Sequence, residues 1–199
     1  MLLILYPKLF KYDIISMVII MTLITFLLIV IVVLGILAII YAINYNNLVT
    51  YKLKIDKAEG LIDEALRNKY DLIAKINIAI KKVITKKDYL KEYIDLKNKR
   101  IGNYDLDRKL TEAHNLILEL KEDHKELNTK AVNKDLREIE KLNETLVSCK
   151  NYFNKNTSEL NILIREFPSN IVAKVHGYKI RPFFDGKNMQ DNIIDDFKL

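Results

Sequence analysis

The stretch that decides the fold runs from Ile14 to Ile43 and reads IISMVIIMTLITFLLIVIVVLGILAIIYAI. Asp13 is the last charged residue before it, and Lys52 is the first one after it. The stretch is roughly 30 residues long, whereas about 20 helical residues are enough to cross the hydrocarbon core of a bilayer. The sequence therefore predicts a single transmembrane helix over residues 14–44, preceded by a short N-terminal segment of residues 1–13.

The length of this stretch favours an uncleaved anchor over a signal peptide. A signal peptide has an apolar region of about 7–15 residues followed by two small residues spaced two apart. Ala38 and Ala42 are instead spaced four apart, and no lipobox cysteine follows. We expect the helix to remain part of the protein.

The lysines on the two sides of the span give a weak prediction of topology. Lys8 and Lys11 lie on the amino side, and Lys52, Lys54 and Lys57 lie on the carboxyl side. Positive residues favour the cytoplasmic side, so the C-terminal domain is predicted in the cytoplasm and the N-terminus outside. A translation start at Met17 in place of Met1 would remove the amino-side lysines and strengthen this prediction.

The composition of the rest of the chain favours long helices. The 199 residues include only 5 Gly and 3 Pro, which are the residues that interrupt helices. The net charge of +6 fits either attraction to anionic lipid headgroups or an ordinary solvated helical surface. A nucleic-acid partner is not expected, because no basic patch is interleaved with aromatic residues.

Three stretches after the span repeat apolar residues at helical spacing. The first runs from Leu48 to about Lys99, with Lys69 as its one polar interruption, and a turn at Ile101-Gly102-Asn103 follows. The second runs from Leu106 to Leu127 with the four-three spacing typical of coiled coils. The third runs from Val132 to Phe167 and ends at Pro168, after N-cap candidates at Asn128, Thr129 and Asn133.

These stretches predict an all-α fold in which the transmembrane helix continues into an antiparallel, up-and-down bundle of three to four long helices. The bundle domain is predicted over residues 45–170. Residues 171–199 form a C-terminal tail that either packs on the bundle or is partly disordered.

No combination of residues in the sequence indicates catalysis or cofactor binding. There is no nucleophile–base pair, no metal-ligand spacing, no glycine-rich phosphate loop and no pair of buried carboxylates. His124 lies on the apolar stripe of the second helix, where a core-edge residue is expected more often than a ligand. The lone Cys149 is expected to be a small core residue. We therefore expect a protein that is not an enzyme and has no cofactor and no small-molecule substrate.

Three short motifs resemble those of a known family. The third helix carries Phe153-Asn154 and Leu160-Asn161, followed by Ile164, Phe167-Pro168-Ser169-Asn170 and Ala173. Tyr45-Asn46-Asn47-Leu48-Val49 follows the span, and Asp71-Leu72-Ile73 lies in the first helix. These residues are similar to the YN…YN…I…FPxN…A, YNxLV and DLIPNL signatures of the LemA family of bacterial membrane-anchored proteins.

The resemblance covers about Met17 to Phe184 and has departures. Phe153 and Leu160 replace the family's tyrosines, and Ala74 replaces the proline of DLIPNL. Membership implies a short N-terminus outside, one span and a helical-bundle domain usually placed in the cytoplasm. The biochemical activity of the family is not established, and some relatives are linked to membrane remodelling or to stress-related membrane proteases.

The signature residues themselves suggest structural or partner-binding roles. Phe153, Leu160, Ile164 and Phe167 fall on one helical stripe and are predicted to lie in a core. Asn154 and Asn161 are one heptad apart, so their amides either fix the register of a neighbouring helix or face a partner. Asn170 is expected to bond local backbone after Pro168. The candidate residues are Tyr45, Asn46, Leu48, Asp71, Phe153, Asn154, Asn161, Phe167, Pro168 and Asn170.

Two functions are compatible with this sequence. The first is a non-enzymatic interaction or scaffold module at the membrane surface, acting in membrane organisation or envelope stress. Its expected partners are the lipid bilayer and another membrane protein or a second copy of the chain. The alternative is a sensor or ligand-binding bundle that signals to a membrane partner.

Overall fold

A computed structural model of the chain describes residues 6–85 and 88–185. Over these residues the protein is all-helical and contains no β-strand. The helices are α1 (Tyr6–Val83), α2 (Lys91–Ile94), α3 (Asn103–Asp123), α4 (Lys130–Arg165) and α5 (Ser169–Val175). Short 3-10 helices follow α2 at Asp95–Asn98 and α3 at Lys125–Leu127.

α1 contains the apolar stretch that decides the fold. The chain divides into two compact units, Met1–Asn47 and Leu48–Leu199, and the boundary between them falls inside this helix. From Met17 to Ile43 the large apolar side chains of the first unit are exposed, except that of the half-buried Val30; Phe26, for example, is 67 % exposed. Among the described helices, α1 is the one that is long and apolar enough to cross a bilayer, by length and composition.

The second unit has a hydrophobic core built from the apolar stripes of its three longest helical segments. Ile73 of α1, Leu110 of α3 and Ile139 of α4 are fully buried in it. A smaller cluster, which we call the Leu48 cluster, consists of Leu48, Ile55, Leu160, Val172 and Ala173. The predicted helical periodicity is therefore confirmed as the source of the core.

The prediction that the first helix extends to about Lys99 was wrong. α1 ends at Val83, and the segment around α2 lies against α1, where the Tyr70 hydroxyl donates to the carbonyl of Ile94 at 2.7 Å. Leu90 is fully buried and Leu96 is 6 % exposed. Leu90 is the N-cap residue of α2 and Leu96 lies in the following 3-10 helix, so these leucines reach the protein interior through two short helical segments and not through a continuation of α1.

The ends of α4 are defined by two different features. Thr129 caps its start, because its side chain accepts a hydrogen bond from Val132 N at 3.2 Å, which confirms one of the three predicted caps. The helix ends at Arg165, and Glu166 has extended backbone with ψ 142°.

Phe167 is 79 % exposed, so the prediction that its ring lies in the core was wrong. The helical stripe that suggested burial stops two residues earlier, and the period of α4 no longer determines the direction of this side chain.

Beyond α5, Gly177 turns the chain with φ +68°, a left-handed conformation that glycine adopts without strain. The residues that follow lie outside any helix. We call residues 178–185 the C-terminal strap. The remaining part of the predicted tail, residues 186–199, lies outside the described residues.

Candidate functional site

The fully buried side chain of Asn161 holds the C-terminal strap. Its amide nitrogen donates to the carbonyl oxygen of Arg181 at 2.7 Å, and its amide oxygen accepts from Arg181 N at 2.9 Å. One side chain thus satisfies both backbone polar groups of a residue that belongs to no helix. The Asn161 side chain thus provides the two backbone hydrogen bonds that a neighbouring β-strand would otherwise provide.

Asn154 repeats this contact one heptad earlier in α4. Its amide oxygen accepts from Phe184 N at 2.8 Å. Seven helical residues rise about 10.5 Å, and three extended residues span about 10 Å, so the spacing of the two asparagines matches that of Arg181 and Phe184. The amides that the sequence assigned to a neighbouring helix or to a partner bind the backbone of the chain's own strap.

The strap also contacts α1 and α3. Arg181 Nη1 lies 2.8 Å from Asp56 Oδ1. The Phe184 ring packs edge-on against Tyr104 and Phe153, with centroid separations of 6.1 and 6.3 Å. Because the ion pair is partly exposed, its contribution is expected to be below about 1 kcal/mol. The asparagine and aromatic contacts are therefore the main attachment.

A charged cluster lies between α1, α3 and α4 in the interior. Lys69 is 1 % exposed, and its Nζ lies 3.1 Å from Thr111 Oγ1 and 4.0 Å from Asp107 Oδ1. Asp107 also accepts from Lys150 Nζ at 2.8 Å. Burial lowers the pKa of Lys69, and the negative charge of Asp107 opposes this shift. The polar interruption in the first helical stripe is thus a buried cation with a carboxylate partner.

His114 is a buried histidine that sequence reasoning missed. It is 7 % exposed, and its Nε2 has no hydrogen-bond partner in the described part of the chain. Burial, followed by the charge of Lys69, lowers the pKa of His114. The apolar stripe pointed to His124, which the structure places half-buried just after the end of α3.

Two large apolar side chains are exposed on α5, next to the exposed Lys174. Ile171 and Val175, which are four residues apart, are 55 % and 68 % exposed, and Phe167 just before the helix is 79 % exposed. We call these three residues the α5 apolar face. The other side of the helix is buried, because Val172 and Ala173 belong to the Leu48 cluster. The face is thus held on the second unit by its own core contacts.

The remaining predicted residues are not brought together. Tyr45 and Asn46 are exposed residues of the first unit, and Asp71 is exposed on α1. Leu48 is fully buried and Phe153 is half-buried beneath the strap. The candidate residues therefore lie in several separate places. The best defined of these is the contact of Asn154 and Asn161 with the strap.

The turn before α5 contains the last two candidates. Pro168 is exposed and stands at the N-cap position of α5. The amide oxygen of Asn170 is buried without a hydrogen-bond partner in residues 6–85 and 88–185, whereas the Ser169 hydroxyl donates to Glu166 O at 2.9 Å. The side-chain hydrogen bond that we find in this turn is donated by Ser169.

Comparison with known proteins places the chain in a family. A sequence model of the LemA family matches residues 58–195, well over half of the chain. The match includes both asparagines that hold the strap, and it begins after the Tyr45-Asn46 motif. No curated protein and no solved structure matches the chain. The chain belongs to the LemA family.

Proposed function

We propose that this protein is a single-pass, membrane-anchored interaction or scaffold module without enzymatic activity. The observation that carries the proposal is the apolar part of α1, whose large side chains from Met17 to Ile43 are exposed with the exception of Val30. Exposed apolar surface of this extent is costly in water and favourable in a bilayer. Residues 14–44 would form the span.

The bundle itself is proposed to be antiparallel and up-and-down. Lys75 of α1 pairs with Asp135 of α4 at 2.7 Å, whereas Leu48, earlier in the same helix, shares a cluster with Leu160, late in α4. In these two pairs the residue number in α1 falls as that in α4 rises, which supports antiparallel packing of α4 against α1. Asp107 of α3 pairs with Lys150 of α4, which places α3 beside α4.

A structural role for the buried charges supports the non-enzymatic assignment. Lys69 and Lys150 share Asp107, and these three residues come from α1, α4 and α3. A buried pair of this kind contributes to the specificity of helix packing. The proposed partners are the bilayer and another membrane protein or a second copy of the chain, in membrane organisation or envelope stress of a bacterial cell.

Photocrosslinking in native membranes tests the scaffold proposal. A photoreactive amino acid replaces Val147, which is 53 % exposed on α4, and in a matched control it replaces the fully buried Ile139. Further exposed positions, such as Ile78 on α1, extend the scan. We expect discrete crosslinked products at an exposed position, formed with an identified membrane protein or with a second copy of the chain. We expect no such product at the control position. If no exposed position captures a protein, the scaffold proposal is wrong.

A sensor or ligand-binding bundle is the second candidate. A cavity of about 480 Å³ beside α1 favours it, and Asp63, Arg67 and Asp71 of α1 line it together with Lys97 and Lys99. Because the lining carries charges of both signs, it suits a zwitterionic ligand. A small molecule that raises the melting temperature of the full chain, and does so less for Arg67→Ala, would support this candidate. A screen without such a molecule would leave the scaffold proposal preferred.

A further inference from the structure

We propose that the α5 apolar face, formed by Phe167, Ile171 and Val175, lies in the headgroup region of the bilayer that α1 crosses. The domain would then touch the membrane at a second place, in addition to its anchor. This inference rests on the proposed membrane anchoring and adds a lipid-binding surface to it.

The exposure of this face is unusual within the second unit. Single exposed apolar residues such as Ile78 and Val147 are normal on a protein surface. Phe167, Ile171 and Val175 are instead close neighbours in sequence, exposed by 79, 55 and 68 % on one turn and one short helix. A group of large apolar side chains of this kind marks a contact surface.

The short piece of chain between the Leu48 cluster and the apolar stretch points to a bilayer as the occupant of this face. Val172 and Ala173, on the inner side of α5, belong to the same cluster as Leu48, and Leu48 follows Ile43 by five residues. Five residues reach at most about 18 Å in any conformation. A short piece of chain therefore joins the apolar stretch to the cluster that contains the inner side of α5.

The charges around the face suit anionic headgroups. Arg165, Lys174 and Lys179 are exposed and close to it in sequence, and Glu166 is the one acidic residue between Arg165 and Lys179. Basic residues next to an apolar face are the pattern of segments that lie in a membrane interface, where anionic lipids attract the cations. A protein partner would not require this combination so close to the span.

Depth-dependent fluorescence quenching tests the proposal on the full chain in proteoliposomes. Cys149 is first replaced by Ser, and single cysteines carrying an environment-sensitive fluorophore are placed at Ile171, Ile78 or Ile29. Ile78 is the matched control, because it is the same residue type on the second unit with 60 % exposure, against 55 % for Ile171. Ile29 reports on the span. The vesicles contain phosphatidylcholine with phosphatidylglycerol, with or without lipids spin-labelled near the headgroup or deep in the chains.

We expect the fluorophore at Ile171 to show a blue-shifted emission, which shallow spin labels quench. Deep spin labels should quench the emission at Ile29 strongly. The fluorophore at Ile78 should show neither a blue shift nor quenching. Removing phosphatidylglycerol should weaken the loss at Ile171. Loss at Ile29 without loss at Ile171 would overturn this inference and leave the anchor intact. Equal loss at Ile171 and Ile78 would also overturn it, whereas no loss at Ile29 would refute the anchor itself.

Discussion

The side chain of Phe167 can be removed at little cost in stability, because 79 % of it is already exposed. For Phe167→Ala we expect a change in the free energy of unfolding within about 0.5 kcal/mol. Leu160→Ala, in the Leu48 cluster with 1 % exposure, should cost about 2–5 kcal/mol. Denaturant unfolding of the full chain in detergent, followed by circular dichroism, measures both. A large loss for Phe167→Ala would mean that the ring is covered.

His114 should make the protein less stable in mild acid. Its pKa is lowered by burial and by Lys69, so below its ordinary value of 6.5 the unfolded chain binds the proton more readily than the folded one. Stability should therefore fall as the pH decreases below 6.5, by at most about 1.4 kcal/mol per pH unit from this group.

His114→Leu removes the titrating group and the unpartnered Nε2 together. We expect the variant to be as stable as the wild type or more stable at pH 8, and to lose less stability between pH 6.5 and 5. Denaturation midpoints at these three pH values provide the test. Parallel pH curves for the two proteins would contradict the role assigned to His114.

His114 in α3 and His124 at its C-cap illustrate what a residue pattern can and cannot predict. The four-three spacing of apolar residues located the buried side of the helix, on which Leu110 and Ile117 are confirmed. His124 is half-buried, because it follows the end of the helix. His114 lies four residues after Leu110 and three before Ile117, so it has the spacing of the buried side, but a stripe defined by apolar residues alone takes Ala113 at this turn and omits the histidine.

At the scale of elements, the strap depends on the asparagines of α4. Asn161→Leu removes both hydrogen bonds to Arg181, so we expect residues 178–185 to leave the bundle more often. Amide hydrogen exchange of Arg181 and Phe184 should become faster, while that of α3 stays unchanged.

The matched control is Asn151→Leu, because Asn151 is an exposed residue of the same helix. Asn154→Leu should accelerate exchange at Phe184 more than at Arg181, since it removes the Phe184 bond alone. Wild-type exchange rates in Asn161→Leu would show that the amide is not what holds the strap.

The strap and the segment after α1 were beyond prediction from periodicity for the same reason. Both contact the bundle through short or extended pieces, and a pattern of three and four residues carries information only where a helix continues. The heptad spacing of Asn154 and Asn161 correctly placed both on one side of α4. The residues that they bind, Arg181 and Phe184, have no helical period by which they could be paired with them.

At the scale of the whole molecule, the side of the membrane on which the domain lies is open to a direct test. With Cys149 replaced by Ser, Lys57→Cys places an exposed thiol on α1 after the apolar stretch. We expect a membrane-impermeant maleimide to label it only after the cells are permeabilised, because the lysines after the span favour the cytoplasm. A cysteine in an outer-surface protein of the same cells serves as the labelling control. Labelling in intact cells would reverse the proposed topology.

The apolar stretch, the all-helical fold and the family could all be read from the sequence, since each depends on local composition, periodicity or short motifs. The family match over residues 58–195 and the single long apolar helix confirm these parts. The contacts among Lys69, Asp107 and Lys150 could not be predicted from the sequence, because they depend on how three helices lie against one another. The identity of a partner is likewise absent from local patterns.

The two asparagine contacts also limit how the length of α4 can vary. A residue inserted between Asn154 and Asn161 would rotate one amide by about 100° around the helix relative to the other and move it about 1.5 Å along the axis. The contact with Arg181 or the contact with Phe184 would then be lost. The number of residues between the two asparagines therefore cannot change, so natural or engineered insertions belong outside this part of the helix.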